Sequence, residues 1–282
     1  MPRPSDEARR LAEAWRLGWV PAPPRGRAGE HLGRGTGSSL EFQDRRHYQV
    51  GDDVRHLDWR AFARTGQLSV KLYREEVLPR LDLVVDTSAS MSVGESKPGL
   101  HLDLVVFLAL AARRSGLSVK VILLDDRPRA LELERLEGEG LELEGAQPLS
   151  TSIPSALGLL RPGTLRILVS DFLSPHDPGT LARSLARGAG GLALLQVLDP
   201  EDTTPAVGSA RRFVDAETGE SLELILEGRV VEDYLARLAR LTDDLEEECR
   251  RLGARFLRLE AGPPLDSLLR GSLSDAGLVV PG

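Results

Sequence analysis

Cysteine, aromatic residues and long apolar runs are what this sequence has least of. Cys249 is the lone cysteine in 282 residues, which excludes a disulfide framework and a cysteine-built zinc site. A reducing cytoplasm is the compartment that suits such a chain. Phe, Trp and Tyr together make 4% of the residues, so Leu, Val and Ala must supply the core. No apolar run approaches the roughly 20 residues of a membrane-spanning helix. The first 20 residues are broken by charges and lack the apolar core of a signal peptide. The five histidines (31, 47, 56, 101 and 176) show no metal-ligand spacing. The Gly-Arg-Gly-Thr-Gly stretch near residue 35 lacks the GxxxxGK[ST] pattern of a phosphate loop and follows no apolar strand.

What is there is the balance of a soluble globular protein, 41% hydrophobic and 28% charged. The net charge of −7 is unevenly spread: residues 1–80 hold 15 basic and 11 acidic side chains, the remainder 21 and 32. A mildly positive N-terminal third admits a nucleic-acid-binding reading, but its charges alternate in sign. No basic patch interleaved with aromatics is present to track a single strand.

From residue 81 onward the pattern alternates strand and helix. LDLVVD (81–86), LSVKVILLDD (117–126), LRILVSDFL (165–173), GLALLQVLD (191–199) and ARFLRLEA (254–261) read as strands, the most apolar of them covered on both faces. Helices are expected at 101–116, at 152–160 with Pro154 in the first turn, at 178–188 and at 230–253. In the last, Leu235, Leu238, Leu241 and Leu245 form one stripe. Residues 130–145 alternate apolar and acidic with period two, the mark of an edge strand or hairpin. Residues 213–226 read as a hairpin through a Thr-Gly turn. The fold expected is α/β, a mostly parallel sheet flanked by helices, over residues 81–282. Residues 1–39 comprise an N-terminal helix and a Pro/Gly/Arg-rich irregular or flexible segment (21–39). Residues 40–80 read as a small β-rich appendage packed against the first sheet strand.

In an open parallel sheet, ligands bind beyond the carboxyl ends of the strands. Asp86 lies at such an end and is followed by Ser88 and Ser90; Asp171 lies at another; Thr151 precedes the short helix at 152–160. Helix capping accounts for Asp86 and the serines taken alone. Taken with Thr151 and Asp171, three loops present two carboxylates and three hydroxyls, an all-oxygen set that suits Mg²⁺ or Mn²⁺. Ser152 is an alternative to Thr151. Two carboxylates only just balance a divalent ion, which leaves a position that a partner's Asp or Glu can fill.

Asp86-Thr-Ser-Ala-Ser resembles the DxSxS signature of von Willebrand factor type A domains. Thr151 and Asp171 resemble the Thr and Asp that complete that family's metal-ion-dependent adhesion site, although Ser170 and Phe172 flank Asp171 where the family has Thr-Asp-Gly. A longer block is similar to the domain-of-unknown-function 58 family: Glu41-Phe42, Arg46, Tyr48, Gly51-Asp52-Asp53-Val54-Arg55-His56-Leu57-Asp58-Trp59, Ala63-Arg64 and the DxSxS segment. The similarity extends over residues 29–280. It implies a type A fold in which the edge region 130–145 runs antiparallel. It also implies an adaptor that works with a MoxR-type AAA+ ATPase, the partner or its client supplying the acid. The residue reading leaves a Mg²⁺-dependent phosphoester hydrolase as the alternative, but no Lys, His or Arg stands in the rim motifs as an obvious base or clamp. Arg46, Arg55 and Asp58 read as an ion-pair network that fixes the appendage or, less simply, contacts a partner. Asp52 and Asp53 read as turn formers, Tyr48 as part of the same block, and Trp59 as core or seam packing.

Overall fold

The computed structural model describes residues 4–19, 40–75, 79–208, 210–214, 221–225 and 227–282. The 21–39 segment and the Thr-Gly turn of the expected hairpin lie outside the described residues. Contacts divide the chain into two units, Met1–Ala22 with Pro79–Gly282, and Pro23–Leu78.

In chain order, the first unit opens with α1 (Asp6–Ala14) and β1 (Trp15–Leu17). The second unit holds β2 (Leu40–His47), a 3₁₀ turn at Val54–His56, α2 (Trp59–Thr65) and β3 (Ser69–Glu75). The first unit then resumes with β4 (Arg80–Asp86), α3 (Lys97–Arg114), β5 (Ser118–Leu124), β6 (Arg129–Leu131), α4 (Leu133–Glu139), α5 (Leu149–Ala156) and β7 (Leu165–Ser170). It continues through α6 (Pro178–Ala186), β8 (Gly191–Leu198), α7 (Pro200–Thr203), β9 (Ala210–Val214) and β10 (Ser221–Ile225). It closes with α8 (Gly228–Arg251), β11 (Arg255–Glu260), α9 (Leu265–Leu268) and β12 (Val279–Pro281).

Six strands form the main sheet in the order β11-β8-β7-β4-β5-β6, parallel except for β6 at the edge. Strand periodicity sends alternate side chains to opposite faces. Leu81, Leu83, Val85, Ile167, Val169, Leu195 and Val197 pack with α1, α3 and α9. Val84, Ile122, Leu168 and Leu194 pack with α5, α6 and α8. That two-sided burial is why the strands read as continuous apolar runs. The helix grouped in sequence with the 21–39 segment folds instead with the α/β unit. Ser5 caps α1 and donates its backbone N–H and its hydroxyl to the Asp103 carboxylate of α3, each at 2.7 Å, and β1 pairs antiparallel with β12.

Two expectations need correcting. Residues 130–145 do not form a hairpin: only Arg129–Leu131 is a strand, antiparallel as expected. Leu133 and Leu136, three apart and both buried, fold the next segment into α4. Alternation is then kept by the buried Leu141 and Leu143 in an extended segment. The short helix α5 starts at Leu149, so Pro154 lies within it and the chain tightens to a 3₁₀ turn at Leu157–Leu159. The 40–80 region carries its two paired strands with the helix α2, capped by Asp58, between them. On α8 the buried stripe is Val231, Leu238, Thr242, Leu245 and Cys249. Burial there pushes the Cys249 thiol up to about 12, so it stays a packed, unreactive group. No described helix is long and apolar enough to cross a membrane.

A buried ionic group anchors the start of β4. Asp82, fully buried, accepts from Arg161 Nε and the Arg161 backbone N–H, each at 2.7 Å, and from the Thr164 hydroxyl at 3.0 Å. Neighbouring Arg166 donates to the carbonyls of Arg161, Leu185 and Arg187.

Candidate functional site

β4 ends in a loop that closes on itself. The Thr87 hydroxyl donates to the Leu124 carbonyl at 3.1 Å, and the backbone around Ser88 bridges that of Gly145. A Cβ on Gly145 would stand 3.1 Å from the Thr87 carbonyl oxygen, so the approach requires glycine. Asp86 Oδ1 accepts from the Ser88 N–H at 2.9 Å, and Oδ2 accepts from the Ser170 hydroxyl of β7 at 2.5 Å. Ser88 Oγ and Ser90 Oγ lie 3.0 Å apart.

β7 exits through a strained residue. Phe172 is the one described non-glycine residue with positive φ, at 59°, a conformation unfavourable for a bulky side chain. It is held by full burial of the ring and by its N–H donating to Ser170 Oγ at 2.9 Å. Asp171, on the preceding position, accepts from the Leu173 N–H at 3.0 Å through Oδ1.

The rim carries an excess of buried acid. Burial, and then the charge of Asp171, push the Asp86 carboxyl up to about 6. Asp199, at the exit of β8, is buried as well; its Oδ2 accepts the backbone N–H groups of Ser96 and Lys97 at the start of α3, each at 3.2 Å. Lys97 Nζ lies 3.0 Å from Asp171 Oδ2 and 3.4 Å from Asp202 Oδ2. One turn along α3, His101 is fully buried beside the backbone of Asp86, and burial pushes it down to about 4. Among the described residues no three His, Cys, Asp or Glu side chains gather as metal ligands.

Gly94 makes the Asp199 contact sterically possible. It has φ 97°, and a Cβ there would stand 2.4 Å from Asp199 Oδ2. Gly94→Ala is therefore expected to cost about 2 kcal/mol, from left-handed strain and displacement of the cap. Urea unfolding beside Gly99→Ala checks this, since a Cβ on Gly99, inside α3, meets nothing within 4 Å. Equal stability of the two variants would remove the steric role.

Of the expected ligands, Asp86 accepts from the Ser88 N–H, the Ser88 and Ser90 hydroxyls lie 3.0 Å apart, and Asp171 acts on Asp86 through its charge. Thr151 enters none of these contacts. It sits exposed in the first turn of α5, its carbonyl accepting from Ser155 Oγ. Ser152, beside it, is buried with its hydroxyl unpartnered. Lys97, His101, Ser170, Asp199 and Asp202 were missed. Asp199 was available to the strand-end rule that found Asp86 and Asp171.

In the second unit the expected network is three separate pairs. Arg46 grips Asp52 through two nitrogens at 2.7 and 2.5 Å, and this bonding holds the Asp52 carboxyl below its ordinary range. Arg55 pairs with Asp53, which also caps the 3₁₀ turn, and holds it at about 2. Asp58 pairs with Arg45 at 2.9 Å and caps α2 through the Ala61 N–H. Asp52 is the turn former expected, taking the Gln49 N–H at 2.9 Å. Tyr48 is half-buried. Trp59 is 61% exposed, edge-on to Phe62, and is not core.

The family described as "Protein of unknown function DUF58" matches residues 44–244. An uncharacterized protein of Mycobacterium bovis and one of Mycobacterium tuberculosis are each 29% identical over 249 residues, 82% of this chain and 78% of theirs. Among solved structures, the conserved hypothetical protein BatB from Bacteroides thetaiotaomicron aligns over 70% of this chain and 98% of its own, at 14% identity and a TM-score of 0.42. An aerotolerance-related membrane protein from Bacteroides fragilis aligns over the same shares, at 15% identity and a TM-score of 0.44.

Proposed function

The chain belongs to the DUF58 family, and from that premise we propose that it is a non-enzymatic, cytoplasmic adaptor that binds an acidic group of a partner protein at the strand-end rim with the help of Mg²⁺ or Mn²⁺. The observation that carries the reading is the buried acid excess at the exits of β4 and β7. Asp86 and Asp171 are both about 1% exposed and close enough to raise one another's cost, an arrangement that a cation relieves.

The donor set fits a hard ion. Asp86, Ser88, Ser90 and Asp171 offer only oxygen, and Ser152 adds a buried hydroxyl with no other partner. Asp86, Ser88 and Ser90 would hold the ion, with Asp171 behind them. The chemistry it supplies when bound is an exchangeable position for a partner's carboxylate. The chain's own part is to fix the donors. Ser170 orients Asp86, Phe172 N–H orients Ser170, and the Gly145 bridge fixes the turn that presents the two serines. Family resemblance makes a MoxR-type AAA+ ATPase, or its client, the partner.

Pull-down of the ATPase from the native cell, with and without EDTA and repeated on Asp86→Ala, tests this. Capture is expected to fall at least tenfold on chelation and on mutation, a factor of ten being about 1.4 kcal/mol. Undiminished capture in both rejects the metal-assisted rim. Mg²⁺-dependent phosphoester turnover, lost in Asp171→Ala, would move the protein to the hydrolase class.

A further inference from the structure

Lys97 is buried where a lysine has three physical reasons not to be. Its side chain is 1% exposed, although a four-carbon stem at a helix end reaches solvent easily. It sits in the first turn of α3, the end of a helix that repels cations. Taking an ammonium out of water is costly unless it is paired and hydrogen-bonded. What holds it is the acid around it: Asp171 Oδ2 at 3.0 Å and Asp202 Oδ2 at 3.4 Å, whose charges both favour the ammonium. Its position is fixed from the backbone too, because Asp199 takes its N–H. Asp202 is itself held in place by accepting the Asp199 N–H at 2.9 Å. The ammonium is thus built into the rim from two strand exits.

From this geometry we infer that Lys97 is the resident cation of the rim and competes with a divalent ion for Asp171, setting the rim's metal affinity low in the absence of a partner. Asp171 has one oxygen on the Leu173 N–H and the other on the ammonium. An ion drawing on that carboxylate must share it with a like charge or displace Lys97 onto Asp202, which already lies within reach. Two cations a few ångströms apart in a water-poor site repel strongly. An added carboxylate from a partner offsets the surplus charge, so metal and partner reinforce one another. The inference rests on the metal reading of the rim.

Mn²⁺ titration by calorimetry on the free full chain separates the two. Wild type, Lys97→Met, Lys97→Met with Asp86→Ala, and Asp86→Ala are compared. Lys97→Met is expected to bind one Mn²⁺ roughly 100-fold more tightly than wild type, and Asp86→Ala to abolish the gain. Equal affinity in wild type and Lys97→Met, lost in Asp86→Ala, overturns the competition and leaves the metal site standing. No binding by any variant overturns both. Tighter binding in Lys97→Met that survives Asp86→Ala marks an adventitious ion on bared acids, and overturns the inference. Should Lys97→Met not fold, Lys97→Met with Asp202→Asn removes one charge of each sign and is read in the same way.

Discussion

Replacing Asp82 by alanine is expected to cost the fold about 3 to 5 kcal/mol, the range for removing one partner of a buried ion pair. The carboxylate is fully buried and accepts two bonds from Arg161 and one from Thr164. Without it the Arg161 guanidinium, still tied to the carbonyls of Leu81 and Ser118, and the buried charge of Arg166 lose their counter-charge. The damage falls at the start of β4, the strand that carries Asp86 at its other end. Urea unfolding measures it through the midpoint at unchanged slope. A loss under about 1 kcal/mol would mean that water replaces the carboxylate, and that the network does not hold the strand.

In buffer with EDTA, Asp86→Asn is expected to gain about 3 kcal/mol more stability than wild type between pH 4 and pH 6.5. His101 has a folded pKa of about 4 against 6.5. Its contribution is therefore complete above pH 6.5 and lost as pH falls toward 4, where the unfolded chain has taken the proton first. Asp86 has a folded pKa of about 6 against 3.8. Its sign is opposite: the folded state binds the extra proton, and stability is lost as pH rises from about 4 to 6. The two windows overlap and oppose one another in wild type, and His176, also held down by burial, adds to the histidine side. Asp86→Asn leaves the histidine slope, and His101→Leu leaves the aspartate slope, falling with pH. Chemical denaturation across that range, with parallel curves for wild type and both variants, would refute the opposition.

Legibility followed range. The strands at 81–86, 165–170 and 191–198 were readable because burial on both sides makes a run of apolar residues, a local property of the chain. The residues at their exits were readable too, since a parallel sheet places ligand groups at carboxyl ends; Asp86, Ser88, Ser90 and Asp171 follow from that rule. Residues 130–145 were read as an edge strand or hairpin from the alternation of Leu131, Leu133, Leu141 and Leu143, but Leu136 breaks that phase and lies three residues from Leu133, on the same helical face. Only packing chose between the two periods. Thr151 was misplaced because the start of α5 depends on Pro148 and on Ser174 accepting the Leu149 N–H, a contact 25 residues away.

The sequence by itself determined an α/β sheet, the acid at two of its strand ends and the family, because these rest on local periodicity and contiguous motifs; the antiparallel edge came only as an implication of the resemblance. Only the tertiary structure decided the charge of the site. Lys97 reaches the rim from the first turn of α3, 74 residues before Asp171, and Asp199 and Asp202 reach it from the exit of β8 and from α7; no local pattern marks a lysine as buried. Whether an ammonium stands beside a carboxylate is a matter of distance in space. That distance is set by the core that brings β8 and α3 to the same end of the sheet.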